Sequence, residues 1–86
     1  MIINVTKNDI EKGIRSNSSR CPIARAIRRR VKEKIGVTMY SAYIGDNRIE
    51  LPETTRLFIE NYDDGKEVEP FKFILLYKIG EINGPK

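Results

Sequence analysis

Histidine is absent from the 86 residues, and cysteine occurs once, as Cys21. Without histidine there is no Ser-His-Asp or Cys-His catalysis and no imidazole metal ligand. One cysteine builds neither an intramolecular disulfide nor a Cys-ligated zinc site. Long apolar runs are missing too. The longest stretch ends in Ile74-Leu75-Leu76-Tyr77, far short of the roughly 20 residues a bilayer helix needs. A membrane-spanning helix is excluded, and Met1-Ile2-Ile3-Asn4-Val5 lacks the basic start and apolar length of a secretory signal. The expectation is a cytoplasmic, cofactor-free, non-enzymatic domain. A hydrophobic content of 40% with 33% charged residues places it among globular chains. Its length allows one small domain, expected over residues 1–79, with 80–86 as a flexible tail.

What is plentiful is charge, and it is segregated. Arg20 to Lys34 holds seven cations and one anion, a net +6. Asp46 to Glu69 holds eight anions and three cations, a net −5. Such a dipolar chain steers partners electrostatically. The alternative is an ordinary solvated helix face paired in part with the acidic half.

The pattern of residues predicts an α+β fold. A small, mostly antiparallel sheet of about four strands carries two main helices on one face, in the order β-α-α-β-β-α-β. Ile2 to Val5 reads as a strand. Thr6 or Asn8 caps a short helix through Asp9 and Lys12, and Gly13 interrupts it. Pro22 to Ile35 reads as the strongest helix. It has Pro at its first position, Ile23, Ile27, Val31 and Ile35 every four residues, and Gly36 as a left-handed stop. Val37 to Ile44 and Arg48 to Leu51 form a hairpin about Gly45-Asp46-Asn47. Pro52 to Tyr62 is a second long helix burying Leu57, Phe58 and Tyr62. Phe71 to Ile79 is the last strand, its middle covered on both faces by way of Ile74 and Leu76. The expected core comprises Ile23, Ile27, Val31, Leu57, Phe58, Phe71, Phe73 and Leu75.

Several motifs recur in a fixed order: Asp9-Ile10 with Gly13, Cys21-Pro22-Ile23-Ala24, the basic Ala26-Ile27-Arg28-Arg29 and Leu51-Pro52. Tyr62-Asp63-Asp64-Gly65 and Val68-Glu69-Pro70-Phe71-Lys72-Phe73 follow. In this order the chain resembles a group of short open reading frames scattered through bacteriophage and prophage genomes. The resemblance covers most of the chain and leaves out roughly Leu76 to Lys86. It implies a mobile-element origin, a small accessory role and, for a phage-encoded protein, the host-cell cytoplasm.

The residues themselves point to anion binding. Arg25, Arg28, Arg29 and Lys32 are expected to line one outward helix face, one turn apart. Arginine's planar fork suits phosphate. Ser16, Ser18 and Ser19, with Arg20 beside them and the free N–H groups of Ile23 and Ala24, are placed to hold an oxyanion at the helix start; ordinary serine capping is the alternative. Tyr40 and Tyr43 offer stacking, but three residues apart they point to opposite sheet faces. Asp63 and Asp64 lack calcium-loop spacing. Cys21, at the N-cap beside Arg20, has the surroundings of a reactive thiolate, but no base partners it, and a structural role is expected. Together these readings describe a protein that binds nucleic acid or a cyclic or linear nucleotide signal, held as a sponge between paired protomers. A protein-binding inhibitor of a host enzyme or defence complex is the alternative. The arginine face is expected to stay clear of Glu60, Asp63 and Asp64.

Overall fold

The computed structural model describes residues 1–77. In chain order the elements are β1 (Ile2–Val5), α1 (Lys7–Lys12), α2 (Pro22–Arg30), β2 (Ile35–Val37), β3 (Ser41–Ile44), β4 (Asn47–Glu50), α3 (Glu53–Asp63) and β5 (Phe71–Ile74). The fold is α+β, with every strand pairing antiparallel. Among the described residues, five strands divide into two sheets, β1-β5 and β2-β3-β4, where a single sheet of about four was expected. No helix among the described residues is long and apolar enough to cross a membrane.

Helix α2 explains the division. It ends at Arg30, not at Ile35: Val31 is already extended (φ −129°, ψ 124°) and donates its N–H to Ile27. A four-residue repeat is also a multiple of the strand period of two, so Val31 and Ile35 satisfy either geometry. Ile35 and Val37 gain a ladder against Ile44 and Ala42 by leaving the helix, and both remain buried. Gly36 is therefore a strand residue facing Tyr43, with no left-handed role. Helix α2 packs against both β1 and β2, one strand from each sheet. Pro22, Ile23, Ala24, Ala26 and Ile27 are all buried; the two alanines let the neighbouring elements approach closely.

The expected strand from Val37 to Ile44 is broken at Thr38. Its hydroxyl accepts from the N–H groups of Tyr40 and Ser41, closing the turn between β2 and β3. The β3–β4 turn needs only Gly45 and Asp46, since Ile44 pairs with Asn47. Gly45 has φ +58°, a backbone setting that glycine adopts without steric cost.

Helix α3 buries Thr55, Phe58 and Ile59, with Tyr62 half-buried, one continuous stripe at i, i+3, i+4 and i+7. Leu57 falls on the opposite side and is 55% exposed, contrary to expectation. Tyr62 shares its hydroxyl proton between the carbonyls of Gly13 (2.8 Å) and Ile10 (3.0 Å), tying α3 to the end of α1. Phe58 packs on Phe71 with ring centroids 4.8 Å apart. Phe71 itself is half-buried, whereas Phe73 and Leu75 are buried as expected.

Strand β5 stops at Ile74. The N–H of Tyr77 donates to the carbonyl of Leu75, turning the chain. Ile74 (60%) and Leu76 (80%) are exposed, so the strand is covered on one face only. Ile79 and the expected tail lie outside the described residues.

Ile27 is fully buried among residues of both sheets. Ile27→Ala is expected to cost about 2–5 kcal/mol in urea unfolding, because the cavity it leaves cannot collapse completely. An Ile27→Ala protein as stable as the parent contradicts this packing.

Candidate functional site

Six residues from Lys7 to Lys12 are too few for a stable helix on their own. Thr6 and Asp9 compensate with a capping box: Thr6 Oγ1 accepts from the Asp9 N–H (3.2 Å), and Asp9 Oδ2 accepts from the Thr6 N–H (2.9 Å). Capping-box carboxylates sit at helix surfaces, yet Asp9 is fully buried. The guanidinium of Arg29 covers it. Nη1 donates to Oδ1 (2.6 Å) and Nη2 to Oδ2 (2.7 Å), the paired geometry that fits arginine to a carboxylate. Nη2 also donates to the Asn4 carbonyl in β1 (2.8 Å). Burial pushes the Asp9 carboxyl up, but the Arg29 hydrogen bonds, the Thr6 bonds and the Arg29 charge together outweigh it and hold it below its ordinary value. Its hydrogen bond to Asp9 likewise raises Arg29.

Arg25 Nε lies 3.4 Å from Asp9 Oδ1, an ion-pair distance without hydrogen-bond geometry. Arg28, one turn on, donates through Nη2 to the carbonyl of Ser19. Both guanidinium groups are thus tethered at one point, leaving further donors toward solvent. With Asn8 and Arg29 they line a depression of about 390 Å³. The structure therefore gathers Arg25, Arg28 and Arg29 from the expected set. Asn8 is an addition: the sequence marked it only as an alternative cap.

The other candidates are placed differently. Lys32 is exposed but lies beyond the end of α2, so the row of four cations on one helix face does not form. Arg20, Ser18 and Ser19 are exposed in the loop before α2 and do not line the depression. That loop is organised by Asn17, whose Oδ1 accepts from Ser19 N (3.1 Å), Ser19 Oγ (3.1 Å) and Arg20 N (2.9 Å). The Ser18 carbonyl accepts from the Val37 N–H (2.8 Å), tying the loop to β2. Tyr40 and Tyr43 are both exposed.

The start of α2 does not offer its N–H groups as expected. Cys21 is the N-cap, and its Sγ accepts from the Ala24 N–H (3.4 Å). Burial pushes the thiol up against the downward pull of the Ala24 and Ile23 amides. The thiolate surroundings read from the sequence give way to a buried capping thiol, because the side chain turns inward beneath the loop.

Among the described residues, no ion pair joins Glu60, Asp63 or Asp64 to an arginine of α2. Asp63 instead accepts from the Ser16 N–H (2.9 Å). The counter-charge on the arginine face comes from Asp9, which the sequence left as part of a short helix. The same carboxylate makes Arg29 a structural residue as well as part of the cationic face.

Arg29→Gln is expected to cost roughly 3–5 kcal/mol in thermal or urea unfolding, since it strands a buried carboxylate. Because Asp9 is held below its ordinary value of 3.8, its contribution to stability is complete above that pH. It is lost as pH falls through the lowered folded value. Asp9→Asn should flatten this acid limb; an unchanged limb excludes Asp9 as its source. Native Cys21 should react with iodoacetamide no faster than the unfolding events that expose it, and Cys21→Ser should lower stability without a change in ligand binding. Rapid alkylation of the folded protein at neutral pH contradicts the capping role. Comparison with family models, with curated proteins and with solved structures found no match.

Proposed function

We propose that the chain is a small, non-enzymatic accessory protein of bacteriophage type that binds a phosphate-bearing ligand through the outward side of α2. The ligand is nucleic acid or a nucleotide signal sequestered in the host-cell cytoplasm. The observation that carries this reading is the depression lined by Asn8, Arg25, Arg28 and Arg29, with two guanidinium groups tethered in place and no carboxylate of the acidic half paired to them. Tethering reduces the side-chain entropy that a phosphate must otherwise freeze out. Arg20, close in sequence to the Ser19 carbonyl that holds Arg28, and Lys32, just past the helix, add positive field around the depression.

A second reading, an inhibitor that docks on a host protein, draws on Leu57, Ile74 and Leu76, which are large apolar side chains left in solvent. Salt separates the two. Binding along a nucleic-acid chain weakens steeply as salt rises, whereas an apolar interface does not.

Arg29 is unsuitable for testing the face, because its loss damages the fold. Arg20→Glu combined with Arg28→Glu should weaken binding to single-stranded nucleic acid or mononucleotide by more than about tenfold at low salt, with the unfolding midpoint little changed. Binding that survives this double reversal favours the protein-docking reading.

A further inference from the structure

We infer, as a refinement resting on the phosphate-binding reading above, that the depression on α2 takes a terminal phosphomonoester rather than the internal phosphodiesters of a nucleic-acid backbone. Charge favours the monoester. Three guanidinium groups, Arg25, Arg28 and Arg29, meet one carboxylate, Asp9, which leaves a net +2 at the depression. A phosphomonoester carries about −1.5 to −2 at neutral pH, which matches that excess. A phosphodiester carries a single negative charge and leaves one guanidinium uncompensated.

The number of free donors favours it too. Arg29 spends both terminal nitrogens on Asp9 and Asn4. Arg25 and Arg28 keep theirs largely free. At positions i and i+3 they are neighbours on the helix surface, and both line the same depression as Asn8. A terminal phosphate offers three non-bridging oxygens to such a cluster, and a diester offers two.

The surface around the depression is short of further cations on the helix. A backbone track needs cations in a continuing row, but Arg30 is turned to the Ile2 carbonyl (2.6 Å) and Lys32 lies off the helix. Helix α2 itself has nine residues, roughly 13 Å. The surface is a point site and not a groove.

The experiment compares a short fluorescent oligothymidylate bearing a 5′-phosphate with the same oligonucleotide ending in a 5′-hydroxyl, by anisotropy at low salt. The phosphorylated form should bind about tenfold more tightly, the gain of roughly one charge-assisted hydrogen bond. Thymidine 5′-monophosphate is the competing probe: displacement at equal concentration assigns the ligand to free nucleotides, and weaker displacement assigns it to polynucleotide ends. Either result supports the monoester site. Arg28→Lys keeps the charge but loses the fork, and should erase most of the preference; Lys66→Gln, which lowers net charge away from the depression, should keep it. Equal affinity for the two oligonucleotides overturns the monoester assignment and leaves the phosphate-binding reading standing. A preference unchanged in Arg28→Lys and in Arg28→Gln overturns its placement on α2. Failure of both oligonucleotides and of the mononucleotide to bind overturns the monoester site together with the reading beneath it.

Discussion

One buried carboxylate organises the N-terminal half of this protein. Asp9 closes the capping box of α1, receives the paired nitrogens of Arg29 from α2, and through Arg29 connects to the Asn4 carbonyl of β1. Three elements meet at one side chain. A buried charge is costly unless every lone pair has a donor, and here backbone and guanidinium supply them. Removing any one participant leaves the others exposed to that cost. Gly13 lies at the same junction. A Cβ there would sit 2.7 Å from both the Asp9 carbonyl and the Pro22 ring, so the end of α1 meets the start of α2 only because this position has no side chain.

The arrangement also settles the exposed flank of β1. Met1 and Leu75 exchange backbone hydrogen bonds, and in an antiparallel ladder this turns the Ile2 and Asn4 carbonyls away from β5. Arg30 takes the Ile2 carbonyl and Arg29 takes that of Asn4. Two long cationic side chains from the last turn of α2 thereby occupy an edge that would otherwise invite another strand. Their charge at the helix C-terminus is favourable to the macrodipole as well. The arginines of α2 fall into two groups: Arg29 and Arg30 hold the fold, while Arg25 and Arg28 are tethered but keep donors toward solvent. A run of cations that looks uniform in the sequence is divided by what each side chain can reach.

Much of the architecture follows from local pattern. The start of α2 at Pro22 with Cys21 as its cap, the inward Ile23 and Ile27, the hairpin turn at Gly45 and the alternation that buries Phe73 and Leu75 each rest on neighbours in sequence. Leu57 illustrates the limit. Leu57 and Ile59 are both candidates for an apolar stripe through Phe58, and only packing against β5 and the end of α1 selects the stripe of Thr55, Phe58, Ile59 and Tyr62. The end of α2 shows the same limit, because Val31 and Ile35 suit a helix and a strand equally well until β3 is present to pair with.

For the site, the residue types were written in the sequence: a block of arginines with a net +6, a short polar loop, and no histidine or second cysteine for other chemistry. Composition and periodicity alone determined the α+β class, the basic character of α2 and the classes of catalysis that this chain excludes. Tertiary structure alone decided which arginines keep free donors, where the counter-charge comes from, and that the Cys21 sulfur is buried. The reason is physical. Local pattern is set by neighbours within a turn or a strand, whereas the Asp9–Arg29 pair joins residues 20 positions apart, and a charge is buried only when folding delivers its partner.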